Sequence, residues 1–319
     1  MQIHNGYDHV PRDCRGAVLA IGNFDGVHRG HQALMRRTRA IAAERAGTKA
    51  GVLIFEPHPR QFFQPDRPHF GLTTLTQRLD LLRRYGMDLT VVLPFDQKFA
   101  NLEAQAFVER VLVAGLGVRH VVVGYDFHFG KGRAGSPQML AEAGRDMGFG
   151  VTIVEQVADG GEVVSSSAIR SELAQGDVVG AAKMLGHWWR VRGHVRGGAK
   201  RGTGMGYPTA NIGLAPGVAL AHGIYAVRVY IGKDVHDGAA YFGTRPTYDN
   251  GDALLETFLF DFDDNIYGRE IEIEFVGHVR GDRKFHDTES LVKQMDADVA
   301  MARDILAAAS ADDPYRWPG

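Results

Sequence analysis

The chain has 319 residues, 45% of them hydrophobic, which is enough for two domains with cores of their own. Its formal net charge is -2, so neither nucleic acid nor an anionic membrane is an expected general partner. A single cysteine, Cys14, rules out an intrachain disulfide, leaves no thiolate set for structural zinc and points to a reducing cytoplasm.

The N-terminal stretch MQIHNGYDHV is polar and has no apolar signal core, and no apolar run reaches the length of a membrane span. Ala17–Gly22 (AVLAIG) reads as a short buried strand. A helical stripe of Leu34, Thr38, Ile41 and Ala42 follows it. Strands are expected at Gly51–Phe55, Leu89–Leu93, His120–Gly124 and Val151–Val154. They alternate with helices near Leu75–Tyr85, Glu103–Ala114 and Pro137–Met147. This alternation implies a parallel, doubly wound sheet, which binds its ligands beyond the carboxyl ends of the strands. Short helices near Ser167–Ala174 and Val178–Leu185 close this half.

The texture then changes. Trp189–Val195, Tyr225–Ile231, Thr257–Phe262 and Ile271–Phe275 alternate apolar and polar residues between glycines and prolines, the texture of a small antiparallel barrel. A last helix after Asp287 carries Leu291, Met295, Val299, Ala302 and Leu306 on one face. The tail ADDPYRWPG reads as loose. The boundary falls near Gly186, giving domains 1–185 and 186–319.

The 40 glycines are about twice the number that average usage gives. Several cluster in the two loops that carry chemistry. The first is Gly22-Asn23-Phe24-Asp25-Gly26-Val27-His28-Arg29-Gly30-His31, between a strand and a helix. Its histidines stand at the carboxyl end of the sheet, next to a helix N-terminus whose free N–H groups favour an anion. Gly30 leaves room for a phosphate, and two imidazoles at this spacing can clamp phosphate oxygens as charge builds. Metal binding, or plain surface histidines, is the competing reading of a bare His-x-Gly-His.

GNFDGVHRGH resembles the opening motif of bacterial FAD synthetases. The likeness continues through Glu56-Pro57-His58-Pro59, Gly124-Tyr125-Asp126-Phe127-His128-Phe129-Gly130 and Ser165-Ser166-Ser167-Ala168-Ile169-Arg170. It implies a Rossmann-like nucleotidyltransferase domain that transfers AMP from ATP to FMN without a covalent intermediate. His28 and His31 would be catalytic. Gly22, Phe24, Gly30, Asp126, Ser166 and Arg170 would contact ATP, and Pro57, His58 and Pro59 would shape the flavin pocket. By chemistry alone, Asp126 suits ribose hydroxyls or a turn, and the serines suit phosphate or an N-cap. Histidine stands at position 128 where arginine is usual in that family; Lys131 or Arg133 is a possible replacement.

The second loop runs from Gly193 to Asn211 with six glycines and the pair Lys200-Arg201. It fits neither the Walker A spacing nor a dinucleotide fingerprint, and no aromatic residues interleave with its cations. Pro208-Thr209-Ala210-Asn211 resembles the PTAN motif of riboflavin kinases. Gly223-Ile224-Tyr225, Gly243-Thr244-Arg245-Pro246-Thr247, Leu255-Glu256, Ile266-Tyr267-Gly268, Arg280 and Phe285 follow in that family's order, with Asp282 where glutamate is commoner. The resemblance implies a six-stranded barrel using Mg2+ and ATP. Thr209 and Asn211 would be the metal ligands, Gly202, Gly204, Gly206 and Pro208 would hold ATP, Arg280 and Phe285 would hold flavin, and Glu256 would be the base. Read singly, each of these is an ordinary turn or strand residue.

Together the two resemblances identify the chain as similar to the bacterial bifunctional riboflavin kinase/FAD synthetases, α/β plus β in class. Riboflavin, FMN and ATP are the expected partners, FAD the final product, with no nucleic acid, membrane or obligatory protein partner. A different nucleotidyltransferase is disfavoured by PTAN. A flavin-binding sensor with decayed chemistry is disfavoured by survival of the histidine pair, PTAN and Glu256.

Overall fold

The computed structural model describes residues 1–159, 162–196, 209–214, 217–244, 253–311 and 313–318. The chain divides into two compact units. The first is Met1–Pro68 with Leu75–Ser165 and Pro318–Gly319; the second is His69–Thr74 with Ser166–Trp317.

In the first unit the elements are β1 (Gln2–Asn5), β2 (Val18–Ile21), α1 (Arg29–Ala43), β3 (Ala50–Glu56), α2 (Pro59–Phe63), α3 (Leu75–Arg84), β4 (Leu89–Pro94), α4 (Gln97–Ala100), α5 (Ala104–Ala106), β5 (His120–Gly124), α6 (Pro137–Met147), β6 (Gly150–Val154) and a two-stranded pair, β7 (Ala158–Asp159) and β8 (Glu162–Val163). Past α5 the helix continues as a wide π-type turn, Phe107–Gly115, so the expected helix near 103–114 is two helical forms in series. The main sheet is parallel, in the order β1-β4-β3-β2-β5-β6. The four residues of β2 are buried on both faces, which explains their unbroken apolar run. The chain leaves β2 toward β3 and β4, then returns to pair β5 on the other side, so the direction of winding reverses between β2 and β5. The loops after these two strands flank the crevice such a reversal creates. β1 escaped the sequence reading because a short, mostly exposed edge strand carries no apolar pattern.

The second unit contains α7 (Ser166–Gln175), α8 (Val178–Leu185), β9 (Arg190–Arg196), β10 (Thr209–Gly213), β11 (Gly223–Ile231), β12 (Asp234–Thr244), β13 (Ala253–Leu259), β14 (Glu270–Gly281) and α9 (Thr288–Ala311). The strands close into a six-stranded antiparallel barrel in the order β10-β13-β12-β11-β14-β9. Alternation along β11 puts Tyr225, Val227 and Val229 on one face and Ala226, Arg228 and Tyr230 on the other. The Ala226 face is covered by Ala302 and Leu306 of α9 and by Trp188. The fold class is therefore the expected one, a parallel α/β sheet followed by an antiparallel barrel and a C-terminal helix.

The tail is not loose. Arg228, Glu274 and Arg190 stand side by side on β11, β14 and β9. Glu274 accepts from Arg190 at 2.7 Å and from Arg228 at 3.1 Å. Asp313, its side chain fully buried, then takes Arg228 and the Trp188 indole N–H. Trp317 donates to the Trp188 carbonyl, and the Arg190 guanidinium lies over the Trp317 ring. Two arginines packed under a helix need this many acceptors, and the tail supplies one of them. Asp313→Ala strands part of that charge and the Trp188 donor. It should lower the stability of the second unit by about 3 kcal/mol in urea unfolding. Asp263→Ala, at an exposed position, should change it by less than about 0.5 kcal/mol.

Candidate functional sites

In the first unit the loop after β2 carries the histidine pair. Gly22 extends the ladder by donating to Leu53 O. The chain then turns through positive φ at Phe24 (53°), Gly26 (81°) and Val27 (45°). Phe24 and Val27 are completely buried, so packing supplies the roughly 1–3 kcal/mol that such conformations cost a non-glycine residue. His28 is the N-cap of α1, its Nδ1 accepting the backbone N–H of His31 at 3.4 Å. In the neutral ring that bond leaves the proton on Nε2, as a donor. The two rings stack at 3.6 Å, and Phe24 packs on His31 at 4.9 Å. A Cβ at Gly30 would press on the His28 ring at 3.1 Å, so this glycine makes room for the imidazole itself. At Gly22 a Cβ would meet only ordinary contact with Phe24.

Burial holds the His31 pKa well below 6.5, helped by the neighbouring His28 and then by Arg78. Its Nδ1 is buried and has no hydrogen-bond partner among the described residues, nor has Asn23 Oδ1. An orphaned polar atom at a helix N-terminus suits a phosphate ligand. Asp126, beyond β5, is exposed and folds back over Gly124, and His128 Nδ1–H donates to the Asp126 backbone oxygen at 2.9 Å. Pro57 follows a cis bond from Glu56. His58 caps α2, accepting from Arg60 N at 3.1 Å, and Pro59 is the first residue of that helix. Behind them Phe62, Phe63, Phe95, Phe99 and Phe55 form a chain of edge-to-face and tilted ring contacts whose member Phe63 is 63% exposed. Ser166 and Arg170 belong to the second unit, at the start of α7; Arg170 Nε donates to Phe70 O at 2.5 Å.

In the second unit Thr209 and Asn211 share one face of β10, since side chains alternate. Asn211 stands directly opposite Glu256 on β13, and Glu256 directly opposite Tyr241 on β12. Direct partners hold their Cβ atoms roughly 4.5–5.5 Å apart. One hydroxyl, one amide and one carboxylate thus meet on a single face, a donor set of oxygens that suits a hard cation. Ala210, Ile212, Leu255 and Thr257 fill the other face. Gly202, Gly204, Gly206 and Pro208 lie outside the described residues. The Arg280 guanidinium grips Asp298 of α9 through Nε and Nη2 at 2.7–3.1 Å. Phe285 lies under Arg280 and Arg283.

Residues 10–168 match the family model of FAD synthetase, and residues 185–306 that of riboflavin kinase. The bifunctional riboflavin kinase/FMN adenylyltransferase of Pseudomonas fluorescens is 41% identical over 98% of this chain and 99% of its own length. The chain belongs to the bifunctional riboflavin kinase/FMN adenylyltransferase family. The protein of that name from Escherichia coli K12 is 37% identical over 95% of this chain and 96% of its own. The one from Haemophilus influenzae is 38% identical over 95% and 98%. A solved structure described as a macrolide-efflux protein from Streptococcus pneumoniae superposes with a TM-score of 0.84 at 28% identity, over 95% of this chain and 99% of that one. The activities are riboflavin kinase and FMN adenylyltransferase, with riboflavin, FMN and ATP as substrates and FAD as product.

Two residues near the histidines gave no sequence signal. Arg78, 5% exposed on α3, faces Glu56 at 3.7 Å and places positive charge near His31. Gln32 donates its side-chain N–H to Val27 O. A lone arginine or glutamine in a helical stripe says nothing until the fold brings it to a site.

The depressed pKa has a stability consequence. The unfolded chain protonates this imidazole near pH 6.5, whereas the folded chain does so only well below that value. The stability tied to neutral His31 is complete above pH 6.5 and is lost as the pH falls beneath it. His31→Gln should therefore flatten the acid limb of the unfolding midpoint, measured from about pH 7 down to about pH 5.

Proposed function

We propose that the two activities run at separate sites, the kinase on the barrel face of Asn211 and Glu256 and the adenylyltransferase at the carboxyl end of β2, with residues 186–319 and 1–185 as the respective domains. The observation that carries this reading is the register of β10 on β13, which sets a PTAN oxygen ligand directly across from a carboxylate. Glu256 accepts the proton of the riboflavin 5′-hydroxyl as that oxygen attacks the γ-phosphorus of ATP, and ADP leaves. Thr209 and Asn211 hold the Mg2+ of the nucleotide, which when bound neutralises phosphate charge. Arg280 and Phe285 border the flavin, and Gly202, Gly204, Gly206 and Pro208 cover ATP.

In the second reaction a phosphate oxygen of FMN attacks the α-phosphorus of a new ATP, and pyrophosphate leaves with its electron pair. His28 Nε2–H and His31 stabilise the charge on the α-phosphate oxygens. Asp126 takes the ribose hydroxyls. The phenylalanine shelf around Phe62, Phe63 and Phe95, rooted in Pro57-His58-Pro59, takes the planar isoalloxazine ring by stacking. Ser166 and Arg170 retain the phosphate-binding role suggested by their motif. The reaction is placed in the cytoplasm on the strength of the lone cysteine and the ATP requirement. Efflux is not proposed: no described helix is long and apolar enough to cross a membrane, and the chemistry-bearing residues are those of phosphoryl and adenylyl transfer.

Glu256→Ala should cut riboflavin phosphorylation by about 10²- to 10⁴-fold and leave FMN adenylylation at its wild-type rate. His28→Ala should do the reverse. Both steps are followed separately by chromatography of flavins, and a single substitution that stops both in folded protein would overturn the two-site reading. Asn211→Ala should raise the Mg2+ concentration needed for half-maximal kinase rate by about tenfold or more while leaving the adenylylation curve in place.

A further inference from the structure

His28 follows immediately on Val27, a β-branched residue at φ 45° that is fully buried. β-Branched side chains strongly disfavour that region, so something must hold Val27 in it. Gln32 does so from one turn inside α1. Its Nε2 donates to Val27 O at 2.9 Å, in a buried bond, and its backbone N–H donates to His28 O at 2.9 Å. Val27 N in turn donates to Phe24 O at 3.1 Å. Gln32 is 8% exposed, and its helical neighbours Met35 and Thr38 are buried too, so the amide arrives from a packed base. The carbonyls of two successive peptides, Val27–His28 and His28–Arg29, are therefore both tied to the same residue. The direction of the His28 ring depends on these peptides, and the ring's Nδ1 is already committed to the His31 N–H.

We infer that Gln32 is a positioning residue for adenylyl transfer: its side-chain amide fixes the strained Val27 carbonyl and thereby aims His28 Nε2. The inference rests on the reading that His28 meets the α-phosphate. A glutamine serves because it brings a donor on a chain long enough to reach back to a carbonyl five residues earlier, with no charge to bury. Leucine and methionine have similar volume and no such donor.

The test uses the full chain with Mg-ATP, measuring FMN adenylylation and riboflavin phosphorylation side by side on Gln32→Leu, Gln32→Met and His28→Ala. Loss of the donor should lower kcat for adenylylation by roughly 10- to 100-fold, the scale on which misplaced groups act, with KM for FMN and ATP nearly unchanged and the kinase unaffected. A second arm repeats Gln32→Leu in a Val27→Gly background. Glycine takes positive φ freely, so there the amide has less to hold, and the drop in kcat should be smaller than in the wild-type background. Wild-type kcat in both Gln32 variants overturns the inference. So does an equal drop in both backgrounds, or a lowered unfolding midpoint with full kcat in the folded fraction. If His28→Ala itself leaves adenylylation intact, the assignment of the histidine site fails; if His28→Ala is inactive while the Gln32 variants are not, only the positioning role fails.

Discussion

The constraint on which the first unit depends is the place of β2 in its sheet. It is paired on both sides by parallel neighbours, so its residues are buried on both faces and its exit is the middle of the carboxyl edge. Chain leaving that point must turn at once into α1 without exposing unpaired backbone. It does so by holding Phe24 and Val27 at positive φ and by letting His28 act as the helix cap. The residue given the chemical role is thus also a structural one. One imidazole nitrogen, Nδ1, is consumed in capping. A histidine that must cap and donate cannot change tautomer without loosening the helix start.

The barrel uses cross-strand register for two different ends. One transverse row, Arg190, Glu274 and Arg228, lies beneath the C-terminal tail and is closed off by Asp313. Another row, Asn211, Glu256 and Tyr241, is set by the same kind of pairing on β10, β13 and β12. The first is saturated with internal partners and dry, which makes it a fastening. The second sets an amide, a carboxylate and a phenol side by side across three strands.

Much of the fold is legible because buried parallel strands are unbroken apolar runs: AVLAIG and the VVVG of β5 need no context. The barrel is less so. β10 hides inside a recognisable motif, and β12, DVHDGAAYFGT, carries Asp, Gly and Ala where a strand reading looks for branched and aromatic residues. Its small residues are there because neighbouring strands approach closely; a Cβ at Gly238 would strike Phe258 O at 2.6 Å. The tail read as loose because proline and aspartate suggest solvent, yet Asp313 is answered by Arg228, 85 residues earlier. The histidine pair and PTAN were legible as motifs, but the room that Gly30 makes for His28, and the reach of Gln32 and Arg78, exist only in three dimensions.

The electrostatics of the histidine site follow from these placements. Were both imidazoles protonated, two cations would be stacked 3.6 Å apart in a buried loop, next to the Arg78 guanidinium. The fold avoids this by keeping His31 neutral. A neutral His31 ring offers a directional donor rather than charge, and such a hydrogen bond strengthens as negative charge gathers on a phosphate oxygen. Arg78 adds positive charge near the His31 ring. In the proposed adenylyl transfer the oriented imidazoles recognise the reacting phosphorus. In the proposed kinase reaction the group to be handled first is a hydroxyl proton, and the Glu256 carboxylate serves for that. The two reactions attack different phosphorus atoms of ATP with nucleophiles of opposite character, a neutral alcohol and an anionic phosphate. One constellation cannot be complementary to both, which favours the proposed two-site reading.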